Sequence, residues 1–332
     1  MMMSSDAAAG SFASLLVTIL LLFVAGYSTQ RSSVCAVAAA QEIIDERRAN
    51  RLIGFFLSAA ASLIVMTLDE SMGNRVFANF HGALPGLATV AGAMLFALGA
   101  WRNGRCAMGT LAALAAGSMP QLGTLAGLLA GIAIGTRLFH AWLGDTMMGA
   151  TIASPLTGLP LATIAIGAVA IAIILATALI VGLRGAPRPQ FWSPVWTMLL
   201  IGGASGGLFA LNRNWPYTSL FGDVVRGGGM DIGERFALTL VILVGSYAAA
   251  RTGGLFRRDW GNAALWWRTT SSGMIMGVGA SLVPGGNEAM LLTGLPLLLP
   301  NLVLAYLVLI LTLIALFALN RRRAPLPVSA AS

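Results

Sequence analysis

Two arginines and one of the chain's two cysteines fall within five positions in Arg102-Asn103-Gly104-Arg105-Cys106, followed by the small-residue run Ala107-Met108-Gly109-Thr110. Guanidinium groups bind oxyanions, and the unpaired N–H groups of a starting helix add donors and a positive dipole, so the stretch has the parts of an anion site. A thiol beside cations and a helix N-terminus is polarised towards thiolate, which suits contact with a sulphur-bearing ligand. Gly104 supplies the break. Two other stretches repeat parts of this set: Gln30-Arg31-Ser32-Ser33-Val34-Cys35, with the second cysteine, and Val283-Pro284-Gly285-Gly286-Asn287-Glu288. There Gly286 lets backbone approach a ligand, and the Asn287 amide can donate to an oxyanion.

Each residue also has a plainer role. Isolated cysteines serve as small buried apolar groups. Arg102 and Arg105 can snorkel to an interface, and Glu42, Asp69, Asp223 and Glu288 can form structural ion pairs with the arginines. Trp215 and Tyr217, in a fourth interrupted stretch at Asn212-Arg213-Asn214-Trp215-Pro216, read as packing or constriction. His81 and His140 are isolated and show no ligand spacing, so neither metal nor cofactor is expected. Cys35 and Cys106 allow one disulfide, which keeps a membrane thiol–disulfide oxidoreductase as an alternative, although no C-x-x-C pair is present.

These stretches are embedded in strongly apolar sequence. The chain has 332 residues, 57% of them hydrophobic and only 10% charged, with a mean hydropathy of +0.83. Soluble domains carry about 25% charged residues, so the composition reads as an all-α polytopic membrane protein whose surroundings are the lipid bilayer. The 40 glycines fit helices that pack closely or break within a membrane. All 20 basic residues are arginine, and they are dispersed, so the net charge of +8 argues for no nucleic-acid partner. The N-terminal segment lacks a positive n-region and carries Asp6, so Phe12–Tyr27 is expected to be a retained helix.

Spanning helices are expected at about 12–28, 51–68, 83–101, 121–140, 158–183, 195–211, 235–250, 268–282 and 300–319. Four apolar segments too short to span lie between them, at 34–46, 106–117, 217–227 and 287–298, each after a polar, Gly- or Pro-bearing break. A shift of 180 aligns Met94 with Met274, Gly99 with Gly279, Leu111 with Leu291 and Pro120 with Pro300. A shift of 181 aligns Gly26 with Gly207 and Phe55 with Phe236, and the four breaks fall in register at nearly one offset. The expected architecture is two repeats, 12–142 and 191–320, joined by a linker helix within 150–190 and followed by a tail at 321–332. About nine crossings result, and an odd linker between even repeats makes the copies inverted, with four half-helices meeting at the membrane centre. Twelve arginines (47, 48, 51, 184, 188, 251, 257, 258, 268, 321, 322 and 323) then fall on one side and four (75, 137, 226 and 235) on the other. That bias orients the N-terminus outside and the C-terminus in the cytoplasm.

The segments SSVCAVAAA, NGRCAMGTLAALAAGS and VPGGNEAMLLTGLPLLLP resemble the YeeE/YedE family of sulphur-compound transporters over about residues 12–318. The resemblance implies a bacterial inner-membrane protein that imports a small inorganic sulphur anion, thiosulfate above all. It implies that Cys35 and Cys106 pass the ion along by S–H···S hydrogen bonds, and it admits a soluble sulphur-carrier protein as cytoplasmic partner. Thiosulfate-importing members carry a third cysteine in the last break, where this chain has Gly286-Asn287-Glu288. The expected pathway residues are Cys35, Cys106, Arg31, Arg102, Arg105, Asn287, Gly104 and Gly286.

Overall fold

Apolar residues with helix-tolerant neighbours fill most of this chain, and the computed structural model is accordingly mostly helical, at 78%. It describes residues 3–32, 34–143, 151–183, 192–211, 216–228, 232–283 and 285–323. The helices are α1 (Met3–Ser32), α2 (Ala36–Asp45), α3 (Asn50–Ser71), α4 (Val76–Asn79), α5 (Leu87–Asn103), α6 (Ala107–Ala115), α7 (Gln121–Leu143) and α8 (Leu161–Gly182). They continue as α9 (Pro194–Ala210), α10 (Tyr217–Val225), α11 (Ile232–Thr252), α12 (Ala263–Leu282), α13 (Asn287–Ala289) and α14 (Pro300–Arg323). A π-helical turn, Met290–Gly294, extends α13. The one pair of strands among the described residues is β1 (His81–Ala83) and β2 (Thr151–Ala153), antiparallel with His81 opposite Ala153. The all-α expectation did not include it. It forms where two extended loops meet at one end of the bundle, and Thr157 Oγ1, just beyond β2, donates to the Phe77 carbonyl at 3.1 Å.

Among the described residues, six stretches are long and apolar enough to cross a membrane: Phe12–Asp45, Asn50–Ser71, Gln121–Phe139, Leu161–Gly182, Ile232–Thr252 and Pro300–Arg321. The difference from the nine expected lies in α5, α9 and α12. Each is 17 to 20 residues long and ends at a break rather than running on. Along α8, Ile166, Ile173, Ile174 and Ile180 are exposed. A helix whose outward face is aliphatic is stable only where something other than water covers that face, which identifies a membrane protein.

Close packing in hydrocarbon gains little from the hydrophobic effect and depends on backbones approaching one another. The longest seam here is between α7 and α12. Gly123, Gly127, Gly131 and Gly135 recur every four residues on α7 and face α12. A Cβ on Gly127 would stand 2.1 Å from the Thr270 carbonyl oxygen, and one on Gly131 would stand 2.1 Å from that of Met274. The other face of α12 takes α5 in the same manner, with Gly99 against Met276 and Gly92 against Gly279. These contacts make α7 parallel and α5 antiparallel to α12. They also bring Asn103, at the end of α5, beside Gln121 and Thr124 at the start of α7. Elsewhere α3 packs on α9 and α8, α1 on α11 and α9, and α14 on α5 and α2. Glu42, near the end of α2, accepts from the first N–H groups of α3, Asn50 at 3.1 Å and Arg51 at 3.3 Å, and its carboxylate pairs with the Arg51 guanidinium.

Candidate functional site

Each half-helix begins a few residues after the end of a longer helix. At the second break, Gly104 takes φ 77° as the C-cap of α5, a left-handed conformation that glycine adopts without strain. This turn sorts the side chains of Arg102-Asn103-Gly104-Arg105-Cys106. Arg102, Gly104 and Arg105 are exposed, while Asn103 and Cys106 are buried.

Asn103 is the hub of the turn. Its amide nitrogen lies within hydrogen-bond distance of the Thr110 hydroxyl (3.3 Å), the Gln121 carbonyl oxygen (3.3 Å) and the Arg105 carbonyl (3.2 Å). Its oxygen accepts from Thr124 Oγ1 at 3.1 Å. Buried amides are retained where their partners are complete. This one ties the end of α5, the start of α6 and the first turn of α7 into one rigid corner, and that corner fixes where Cys106 points.

Cys106 is fully buried and Cys35 nearly so, and both are free thiols. They cap α6 and α2. The Cys106 N–H donates to Cys35 Sγ at 3.3 Å, so the two half-helix N-termini meet through sulphur. Gly109 keeps the gap narrow, because a Cβ there would stand 2.9 Å from Cys35 Sγ. On the far side of Cys106, the Asn287 amide donates to its sulphur at 3.6 Å.

The third and fourth breaks meet by the same device with oxygen in place of sulphur. The Gly286 N–H donates to Thr218 Oγ1 at 2.7 Å. Thr218 in turn donates to Glu288 Oε1 through its hydroxyl at 2.6 Å, and its N–H reaches the same oxygen at 3.3 Å. Tyr217, at the first position of α10, donates from its hydroxyl to the Ala107 carbonyl at 2.8 Å. That bond and the Asn287–Cys106 bond join the two pairs into one buried centre.

Of the residues expected in the pathway, Cys35, Cys106, Gly286 and Asn287 come together. Arg31 does not join them: its guanidinium donates to the Tyr27 and Thr252 hydroxyls at 3.3 and 3.1 Å, beside the end of α11. Arg102, Gly104 and Arg105 belong to the second break but are exposed rather than turned into the centre. Arg213 and Trp215 lie outside the described residues. The four carboxylates considered as partners for these arginines are engaged elsewhere. Glu42 pairs with Arg51, Asp69 accepts from the Asn74 amide at 2.7 Å, Asp223 pairs with Arg235, and Glu288 holds Thr218. The structure adds Asn103, Thr218 and Glu288 to the site. Thr218 was findable, since it follows Tyr217 in the first turn of a short helix that starts at a polar break. Asn103 carried no signal beyond standing between the two arginines.

Among the described residues no cluster of His, Cys, Asp and Glu could hold a metal ion. The chemistry available is therefore that of thiols, amide and hydroxyl donors, helix N-termini and one buried carboxyl group. A family model described as sulphur transport matches residues 31–315, which include all four breaks. No curated protein matches the chain.

Proposed function

This chain belongs to the YeeE/YedE family of sulphur transport proteins, and from that premise we propose that it imports a small sulphur-bearing anion, thiosulfate first among them, across a bacterial inner membrane. The observation that carries the reading is the buried contact of Cys35, Cys106 and Asn287, in which two free thiols and an amide from three different breaks are joined by successive hydrogen bonds. A sulphane sulphur exchanges S–H···S contacts with such thiols as it passes, while half-helix N–H groups replace the water lost by the oxyanion end. Arg102 and Arg105 then draw the ion to or from the mouth beside the second break rather than coordinating it at the centre. The side they occupy is the cytoplasmic one in this reading, and handover to a soluble sulphur-carrier protein belongs there.

The inverted-repeat arrangement, with about nine crossings and an external N-terminus, is part of the same proposal. Helix pairing supports it. Under a shift of about 180 residues, α3 against α9 corresponds to α11 against α1, and α7 against α12 corresponds to α14 against α5. Cys106 corresponds to Gly286, and the N–H of each donates to a side chain near the start of another half-helix, Cys35 Sγ or Thr218 Oγ1. A two-fold relation produces this pattern of reciprocal pairs.

Uptake of labelled thiosulfate, sulfite and sulfate by proteoliposomes tests the function. Wild-type protein should take up thiosulfate fastest, and Cys106→Ala should lose at least about tenfold of that rate, the equivalent of roughly 1.4 kcal/mol at the barrier. Equal rates for wild type and Cys106→Ala would overturn the role of the thiol. The proximity of the two cysteines also favours a second reading, a thiol–disulfide oxidoreductase. Thiol trapping after oxidation and reduction decides between them: the transporter keeps two free thiols throughout, whereas a redox pair cycles through a Cys35–Cys106 disulfide.

A further inference from the structure

Glu288 is the one feature of the centre that an anion pathway does not ask for. It is 1% exposed and stands where the third and fourth breaks meet. A fixed negative charge here would oppose the passage of any anion. We propose that Glu288 is a proton-binding site that couples proton movement to anion transport, the anion and the proton crossing together. The inference rests on the transport reading above.

Its two oxygens have different surroundings. Oε1 accepts from the Thr218 hydroxyl and from the Thr218 N–H at the start of α10, contacts that hold an ionised carboxylate. Oε2 is buried and has no hydrogen-bond partner, and it lies against Gly286, where a Cβ would stand 2.7 Å from it. The neighbouring Asn287 Oδ1 is likewise buried without a partner. An entering anion brings acceptors and no donor, so it cannot satisfy either atom. A proton on Oε2 removes the charge and turns that oxygen into a donor, after which the same corner can hold an oxyanion. One set of contacts thus serves the ionised group and the other serves the protonated group beside its ligand.

No described cation reaches either oxygen. The titratable groups nearest this corner are Tyr217 on α10, Cys106 and Cys35 at the starts of α6 and α2, and Tyr306 on α14. None of these carries a positive charge. Asp223 and Arg226 stand at the far end of α10, with Arg235 of α11 paired to Asp223. On the helices packed behind, the charged residues are Arg51, Asp69 and Glu70 on α3, Arg137 in the last two turns of α7, Arg102 at the end of α5 and Arg268 in the second turn of α12.

The proton also has a route. A cavity of about 220 Å³ between α7, α10 and α12 is lined by Thr218, Ser219 and Gly285 at its inner end and by Asp223 and Arg226 at its outer end. Thr218 is the residue bonded to Glu288. The cavity therefore runs from the exposed end of α10 to the hydroxyl that touches the carboxyl group.

The test uses wild-type proteoliposomes with the membrane potential clamped and labelled thiosulfate as probe. An acid-outside gradient of about one pH unit, a tenfold ratio of proton activity, should raise accumulation severalfold over symmetric pH and acidify the lumen as the anion enters. Glu288→Gln, which keeps the shape and loses the titration, should lose the response to the gradient, read as the ratio of its own uptake with and without the gradient, whatever its rate at symmetric pH. Wild-type uptake indifferent to the gradient, without lumenal acidification, overturns the proposal. So does a Glu288→Gln variant that still responds. The wild-type measurements decide alone if the variant does not fold. Absence of any exchange by wild type with thiosulfate, sulfite or sulfate would instead defeat the transport reading, and this inference with it.

Discussion

Replacing Asn103 with alanine should cost about 2 kcal/mol of stability and should release Cys106 from its position. The amide nitrogen has two N–H groups for the Thr110 hydroxyl, Gln121 and the Arg105 carbonyl, and the amide oxygen accepts from Thr124, so three full hydrogen bonds form at once. In a membrane interior each is worth about 0.6 kcal/mol on average, which sums to roughly 1.8 kcal/mol. Thr124 and Gln121 keep the 3.1 Å bond between themselves, which trims the loss. The Arg105 carbonyl and the Thr110 hydroxyl lose a donor inside the protein. Arg102→Ala is the natural comparison, one residue away but exposed, and should change stability by no more than about 0.5 kcal/mol. Unfolding by SDS in mixed micelles, followed by circular dichroism, measures both. The rate of maleimide labelling at Cys106 reports the second effect and should rise in Asn103→Ala, because the thiol is fully buried in the native protein. If the two variants unfold within about 0.5 kcal/mol of each other and label at the same rate, the amide does not hold the corner.

Gly131→Leu should abolish the α7–α12 seam, since even a Cβ would stand 2.1 Å from the Met274 carbonyl oxygen; the expected outcome is loss of monodisperse protein on size exclusion. Gly167, with nothing within 4 Å of an added Cβ, should accept alanine without loss. Tyr217→Phe removes the 2.8 Å bond to the Ala107 carbonyl and should cost about 0.6–1.7 kcal/mol in the same SDS titration, while Phe221, which meets the ring edge-on, keeps the ring in place. Glu42→Ala should cost about 1–2 kcal/mol by uncapping α3 and breaking the Arg51 pair, with Glu42→Gln recovering part of it. Asn287→Ala should slow thiosulfate uptake while leaving the protein folded, because the lost donor faces Cys106 rather than the backbone; unchanged uptake would remove Asn287 from the pathway.

The elements of this fold were largely legible in the amino-acid order because each has a local cause. An apolar run long enough to span a bilayer stays helical wherever it is placed, and a Gly-, Pro- or Asn-bearing interruption ends it wherever it is placed. The short helices expected at 34–46, 106–117, 217–227 and 287–298 correspond to α2, α6, α10 and α13 with its π turn. The cysteines and Asn287 were also legible as residues of interest, being rare or polar at the starts of those helices.

Which side chains of a break turn inwards was not legible. Arg102, Asn103, Arg105 and Cys106 are separated by a few residues, yet two are exposed and two are buried. That partition depends on the left-handed turn at Gly104 and on where α7 stands, and α7 is placed by its glycine seam with α12, far along the chain. The same holds for Thr218 and Glu288, 70 residues apart, whose bond exists only because two helices end opposite each other. That the chain crosses a membrane, where it breaks and which rare groups stand at the breaks all follow from hydropathy and backbone chemistry over a few turns, and so are written in the amino-acid order. Tertiary structure alone decided that thiols meet at one pair of breaks and a hydroxyl and a carboxyl group at the other. The reason is physical: a side chain's direction out of a turn is set by the backbone dihedrals there, and its partner is set by helix packing many residues away.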